Sequence, residues 1–262
     1  MDTNLKNCIL YLVRTSEEDL INLNKSLSLV YENVLPNNPG VDIVLFHEES
    51  FVECMHRVLT KEGVRIVFQL VNFPSPPRGT PDIFPHPIPE QVAMGNLGFS
   101  VGYRHMCHFF SGGLYDQPIM KGYKYYLRLD TDSYVLTPIN YNIFEKMESG
   151  NYKYGFIPDA VQTDHPAVTE GLWDFAGGTV SGFPKDTMYY SNFEIGEVEF
   201  FFKGLYYVFF KRIEANGGIY TKRWGDGPIK WLGVNLFTLP SQRLEVRGFF
   251  YQHGHIYNLT KN

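Results

Sequence analysis

The chain is 262 residues long, and 44% hydrophobic with 16% aromatic residues suffices for a substantial core in one large or two small domains. Its formal net charge of -5 comes with Lys and Arg scattered rather than clustered, which argues against nucleic acid or an anionic membrane as main partner and favours a small or polar ligand. No apolar run approaches the roughly 20 residues that span a bilayer, and Met1 to Asn7 is polar where a leader would lead into an apolar segment. The three cysteines, Cys8, Cys54 and Cys107, are too widely spaced to read as a disulfide framework or a thiolate metal site. A cytoplasmic, reducing compartment is the expectation.

In chain order, "CILYLV" (Cys8 to Val13) predicts a buried strand, and Ser16 can cap a helix whose Leu20, Leu23, Leu27, Val30 and Val34 recur at helical spacing. "VDIVLFH" (Val41 to His47) and "VRIVFQLV" (Val64 to Val71) are further strands, continuously apolar as strands covered on both faces tend to be. From Phe73 to Pro89 the chain carries seven of its sixteen prolines, which predicts a loop. A helical stretch from about Gln91 to Phe110 then leads to the strand Tyr125 to Asp130. "YKYGFIPD" (Tyr152 to Asp159) reads as another strand, followed by a Gly-rich, poorly patterned segment to Tyr190. "EFFFKGLYYVFFKRIEANGG" (Glu199 to Gly218) reads as a long aromatic helix stopped by Asn216, Gly217 and Gly218. With no repeat, low-complexity tract or linker, residues 1–262 are expected to form one mixed α/β domain.

The chemistry concentrates in "YYLRLDTDSYVLTP" (Tyr125 to Pro138), where an apolar run ends in two aspartates. Residues two apart on a strand project to one side, so Asp130 and Asp132 could face one crevice. Ionised carboxylates there need a positive partner, and a divalent cation such as Mg²⁺ or Mn²⁺ would serve, keeping open positions for phosphate oxygens. A nucleotide-sugar transferase needs that combination to stabilise its diphosphate leaving group. Alone, Asp-X-Asp is just as compatible with a solvated turn. The phosphatase motif that places an aspartate nucleophile after the first strand fits poorly, because about half the chain precedes Asp130.

Four separated stretches, "GYRHMCHFFSG" (Gly102 to Gly112), "YKYYLRLDTDSYVLTPINYNIFEKM" (Tyr123 to Met147), "YSNFEIGEVEFF" (Tyr190 to Phe201) and "GGIYTKRWGDGP" (Gly217 to Pro228), resemble in order and approximate spacing the fungal α-1,2-mannosyltransferases of glycosyltransferase family 15. "SNFEI" and "RWGDGP" are far more specific than the aspartate pair. The resemblance implies a GT-A fold with a Rossmann-like mixed sheet, a GDP-mannose donor, Mn²⁺ (or Mg²⁺) dependence, a glycan or glycoprotein acceptor and retention of anomeric configuration. The family usually writes Glu-Pro-Asp where this chain has Asp130, Thr131 and Asp132. Fungal members carry an anchor and stem, a longer segment before "SNFEI" and a cysteine-containing C-terminal extension, so the resemblance carries no implication for compartment or acceptor identity.

The resemblance implies a metal-binding histidine at His253 in "RGFFYQHGHIYN", with His255 as the alternative; an imidazole ligand suits Mn²⁺ better than Mg²⁺. It implies Glu194 of "SNFEI" as the group acting on the anomeric carbon, either as nucleophile or as stabiliser of an oxocarbenium-like transition state. A carboxylate favoured at a helix N-terminus is the plain alternative for Glu194. Tyr103 and Arg104 correspond to family residues near the donor, where a guanidinium could grip a diphosphate; helix packing explains them equally. Arg14, after the first strand, sits where α/β folds place nucleotide contacts; a solvated loop arginine explains it equally. Arg128 and Asp226 are candidates for acceptor binding, Asp226 otherwise as a turn cap. The alternatives to catalysis are a non-catalytic glycan- or nucleotide-sugar-binding module, or a GT-A transferase using another nucleotide sugar.

Overall fold

The computed structural model describes residues 5–176 and 184–254, and the backbone of 256–259. A seven-stranded sheet runs through it. Its strands are β1 (Lys6–Val13), β2 (Asp42–His47), β3 (Ile66–Leu70), β4 (Tyr123–Leu129), β6 (Tyr154–Phe156), β7 (Phe193–Glu197) and β8 (Arg243–Glu245), in the order β8-β6-β7-β4-β1-β2-β3. Two further strands, β5 (Ser133–Val135) and β9 (Phe250–His253), pair antiparallel beside it, in a small sheet completed by Ile256–Leu259. β4, β1, β2 and β3 are parallel, and β7 is reversed between β4 and β6.

Both faces of the sheet are covered, which is why its strands read as continuous apolar runs. Cys8, Leu10, Val44, Phe46 and Tyr126 point into one core, and Ile9, Tyr11, Ile43, Leu45 and Leu127 into the other. The second core is closed by α1 (Glu17–Asn33), whose Ser16 cap accepts from the Asp19 amide and whose Leu20, Leu23, Leu27 and Val30 are buried, with Val34 just beyond its end. The first is closed by α2 (Val101–His108), α3 (Leu205–Asn216) and α4 (Asp226–Phe237).

Three expectations are corrected. The helix expected over 91–110 is two pieces, Pro89–Ala93 and α2, because Gly98–Ser100 forms a short ribbon with Ile83–Pro85 inside the proline-rich loop. The aromatic helix breaks at Gly204 into Val198–Lys203 and α3, while its predicted stop holds, with Gly217 at a φ of 74°. The plain alternative for Glu194, a helix N-terminus, falls as well, because "SNFEI" enters a strand, β7. No helix among the described residues is long and apolar enough to cross a membrane.

Candidate active site

From β1 the chain proceeds through β2 to β3 at one edge, then returns to lay β4 on the other side of β1. The carboxyl ends of β1 and β4 therefore flank a topological switch point, the usual ligand crevice of an open α/β sheet. A cavity of about 400 Å³ opens there, lined among others by Val13, Arg14, Asp19, Glu48, Tyr103 and Asp132. A second, of about 280 Å³, is lined among others by Arg128, Tyr190, Arg223, Asp226 and His253. Tyr103, Met106 and Asp130 border both.

The turn carrying the aspartates is tightly held. The Ser133 amide donates to the Asp130 carbonyl at 3.0 Å, and the Asp130 amide lies 3.2 Å from Ser133 Oγ and 3.3 Å from the Asn192 carbonyl. Tyr251 OH lies 2.7 Å from Ser133 Oγ, and Thr131 Oγ1 donates to Asp19 Oδ1 at 3.3 Å. Register brings the late histidine to this turn: β9 runs antiparallel to β5 with His253 opposite Ser133, and the Gly254 amide donates to the Asp132 carbonyl at 3.0 Å.

His253 Nε2 consequently lies 3.1 Å from Asp132 Oδ1 and 3.8 Å from Asp130 Oδ2. Its Nδ1 is 2.9 Å from Tyr190 OH, leaving Nε2 as the nitrogen facing the carboxylates. Burial opposes charge on His253, but the Asp132 hydrogen bond and the fields of Asp130 and Asp132 outweigh it and raise its pKa. Burial pushes Asp130 up against the pull of Arg128 and His253; Asp132, despite partial burial, is held low by its bond to His253.

Among the described residues no three such donors already surround one point at ligand distance; His253 bonds Asp132 directly. The set nevertheless fits a hard divalent ion. Octahedral ligands at about 2.1 Å stand about 3.0 Å apart when cis; the 3.1 Å between His253 Nε2 and Asp132 Oδ1 meets that spacing, while Asp130 Oδ2, at 3.8 Å, stands wider than it. Two carboxylate oxygens and one imidazole nitrogen suit Mn²⁺. His255, the alternative ligand, lies outside the described residues.

Behind the turn, Arg128 is 2% exposed and bonded on both sides. Its Nε donates to Asp130 Oδ1 at 3.1 Å, its Nη1 to Asp226 Oδ2 at 2.6 Å, and its guanidinium carbon lies 3.4 Å from the Phe110 ring centroid. Burial alone would lower its pKa; Asp130, Asp226 and Glu194 together raise it. Asp226 begins α4, accepts also from Ser191 Oγ at 2.7 Å, and has its pKa lowered, against burial, by Arg128. Both residues line the second cavity.

The donor-side expectations divide. Arg14 lines the first cavity with its side chain 81% exposed, 3.1 Å from Asp19. Tyr103 borders both cavities and its hydroxyl accepts from Arg223 Nη2 at 2.7 Å. Arg104 does neither. It is fully buried, its guanidinium donates to the carbonyls of Ser100, Pro81, Asp82 and Tyr220, and it borders neither cavity. A planar donor set matched to carbonyls of the proline-rich loop organises that loop instead of gripping a diphosphate.

Glu194 is also fully buried, directly opposite Arg128 across the β7–β4 ladder. Its carboxylate accepts from Lys230 Nζ at 3.0 Å, Tyr126 OH at 3.1 Å and Tyr154 OH at 2.9 Å, and it borders neither cavity. Sequence reasoning missed Lys230, Tyr190 and Arg223. Lys230 did leave a signal: it is the one ionisable residue after Asp226 in the apolar run "DGPIKWLGVNLF", and a buried ammonium requires a partner.

A sheet with a crevice at its switch point and an acidic turn beside it is that of a GT-A glycosyltransferase, and solved structures share the fold. The mannosyltransferase Ktr4p from S. cerevisiae in complex with GDP superposes with a TM-score of 0.77 at 23% identity, covering 98% of this chain and 73% of that one. Core-mannan synthase A from Aspergillus fumigatus, in an Mn/GDP form, gives 0.73 at 22% identity over 96% and 75%. The glycolipid 2-alpha-mannosyltransferase family model matches residues 2–177 and 185–262, and the chain belongs to that family. The "Probable mannosyltransferase KTR3" of Saccharomyces cerevisiae is 31% identical over 188 residues, 63% of this chain, so the alignment spans under half of that relative, 46% of its length.

Proposed function

We propose that the chain catalyses metal-dependent, retaining transfer of mannose from GDP-mannose to a sugar hydroxyl of a glycan or glycoprotein, forming an α-linkage. The observation that carries the reading is the convergence of Asp130, Asp132 and His253, far apart in sequence, beside a cavity at the sheet's switch point. Family membership and the GDP- and Mn/GDP-bound fold neighbours support the donor and the ion.

In this reading Asp130, Asp132 and His253 hold Mn²⁺, which when bound supplies Lewis-acid neutralisation of the departing diphosphate. Tyr190 fixes the tautomer of His253 through Nδ1. The first cavity takes the nucleotide, with Arg14 at its mouth and Tyr103 at the junction; the second takes the acceptor sugar. Asp226, whose Oδ2 is occupied by Arg128 and Ser191, orients an acceptor hydroxyl with its other oxygen. Arg128 sets the position of both Asp130 and Asp226. Glu194 provides a fixed negative charge behind the developing oxocarbenium ion. With both oxygens bonded and no exposed surface, it is better arranged for electrostatic stabilisation than for attack.

Mixing the protein with GDP-mannose and a mannoside acceptor, with and without Mn²⁺, tests the reading through GDP release and the linkage of the product. An α-mannoside formed only with Mn²⁺ is expected. A β-linked product would refute retention, and specific GDP-mannose binding without turnover would assign the chain to a binding module.

A further inference from the structure

Beneath the junction of the two cavities lies a compartment with no solvent access. Lys230 and Glu194 are both 0% exposed. The ammonium uses all three of its donors, on Glu194 Oε1 at 3.0 Å, Tyr115 OH at 2.5 Å and Tyr126 OH at 3.2 Å. Tyr115 and Tyr126 bond each other at 2.7 Å, Tyr154 OH closes the carboxylate from the β6 side, and the ammonium lies 4.2 Å from the Phe201 ring centroid. No buried polar atom of Lys230, Glu194 or these tyrosines is left without a partner.

A sealed ion pair of this kind is weak evidence for stability, since apolar residues of similar volume often do as well. Its position suggests another use. Across the β7–β4 ladder Glu194 stands opposite Arg128, and Arg128 in turn holds Asp130 and Asp226 at the cavities. We propose that Lys230 is a positioning residue for Glu194, holding its carboxylate in one place beneath the proposed site of sugar transfer. The inference rests on the proposed mannosyl transfer for its kinetic consequence, though not for its physical one.

The groups facing Glu194 are Lys230 from α4, Tyr126 and Arg128 from β4, Tyr154 from β6, Tyr206 from α3, and Tyr115. Of these Lys230 is the cation in contact. Burial pulls its ammonium's pKa down and Glu194 opposes that pull, so the two charges depend on each other. Replacing Lys230 by Met keeps an unbranched stem but removes the ammonium, and leaves the carboxylate bonded by the Tyr126 and Tyr154 hydroxyls with no touching cation.

The test compares wild type, Lys230→Met, Glu194→Gln and the double variant Glu194→Gln/Lys230→Met, by thermal melting without any donor and by the kcat and KM of Mn²⁺-dependent transfer. Lys230→Met should lose kcat by at least about tenfold while KM for the donor stays within about threefold. The double variant, with no unpaired charge, should melt above Lys230→Met and match the low kcat of Glu194→Gln. If Lys230→Met does not fold while the double variant does, the damage still belongs to the unpaired carboxylate, as proposed. A double variant as unstable as Lys230→Met, or wild-type kcat in either Lys230→Met or the double variant, would each overturn the inference. Wild-type protein that fails to transfer mannose would instead refute the proposed function, while the melting comparison would still decide whether Lys230 holds Glu194.

Discussion

At the end of β4, Asp130, Asp132 and His253 keep 29%, 34% and 21% of their side-chain surface in contact with solvent, whereas one strand away Glu194 and Lys230 keep none. The open cluster has a histidine 3.1 Å from one carboxylate and 3.8 Å from the other, contacts that can be exchanged for an ion at little cost because water reaches them. The sealed pair has every polar atom bonded, and nothing can replace a partner without leaving a charge in an apolar enclosure. Arg128 joins the two, bonded to Asp130 and opposite Glu194. Groups that must change partners sit at the cavity wall, and groups that must not change lie beneath it.

Substitution should separate the two kinds of cluster. Asp130→Ala removes a carboxylate proposed to hold the ion, so turnover should fall by about 10²- to 10³-fold, while melting temperature changes little; steady-state transfer assays and a thermal scan check both halves. Turnover within a few-fold of wild type would take Asp130 out of the chemistry. Glu194→Ala should do the reverse in emphasis, stranding Lys230 and lowering folding stability by about 3–5 kcal/mol, as removal of one member of a buried pair does. Urea denaturation measures this, and a loss under about 1 kcal/mol, the range of exposed pairs, would erase the distinction.

How much of this contrast was legible in the sequence follows from the range of the interactions. The α1 cap at Ser16 and the strands β1 and β2 were recovered nearly to the residue, since local periodicity and side-chain capping decide them. β7 was not, because five residues containing a glycine and two glutamates carry no alternation strong enough to announce a central strand; its place is set by pairing with β4 and β6. The aspartate turn was visible as a chemical anomaly. The placement of His253 beside it came from family resemblance and from no local pattern, because that contact is made by the β5–β9 register over more than a hundred residues. Lys230 was overlooked through attention to motifs, although a lone lysine in an apolar helix asks for a counter-charge.

Two smaller effects sharpen the picture of the open cluster. Tyr190→Phe removes the hydroxyl at His253 Nδ1 and should weaken Mn²⁺ affinity by about tenfold, the lower end for loss of an outer hydrogen bond to a ligating imidazole. Electron paramagnetic resonance of free Mn²⁺ during titration reports this, and unchanged affinity would mean that Tyr190 does not orient the ring. Arg14→Ala, at an exposed side chain paired with Asp19, should weaken GDP by no more than about fivefold, with the difference shrinking at high salt. A salt-independent loss would show that Arg14 reaches a desolvated part of the nucleotide.

The account stands most directly on whether Asp130 and His253 hold one ion for the nucleotide, and calorimetric titration of GDP with and without Mn²⁺ into wild type, Asp130→Ala and His253→Ala measures it. The arrangement predicts that Mn²⁺ tightens GDP binding to wild type by at least about tenfold and that each substitution abolishes the increment while the protein stays folded. An Mn²⁺ increment of wild-type size in both variants would contradict it.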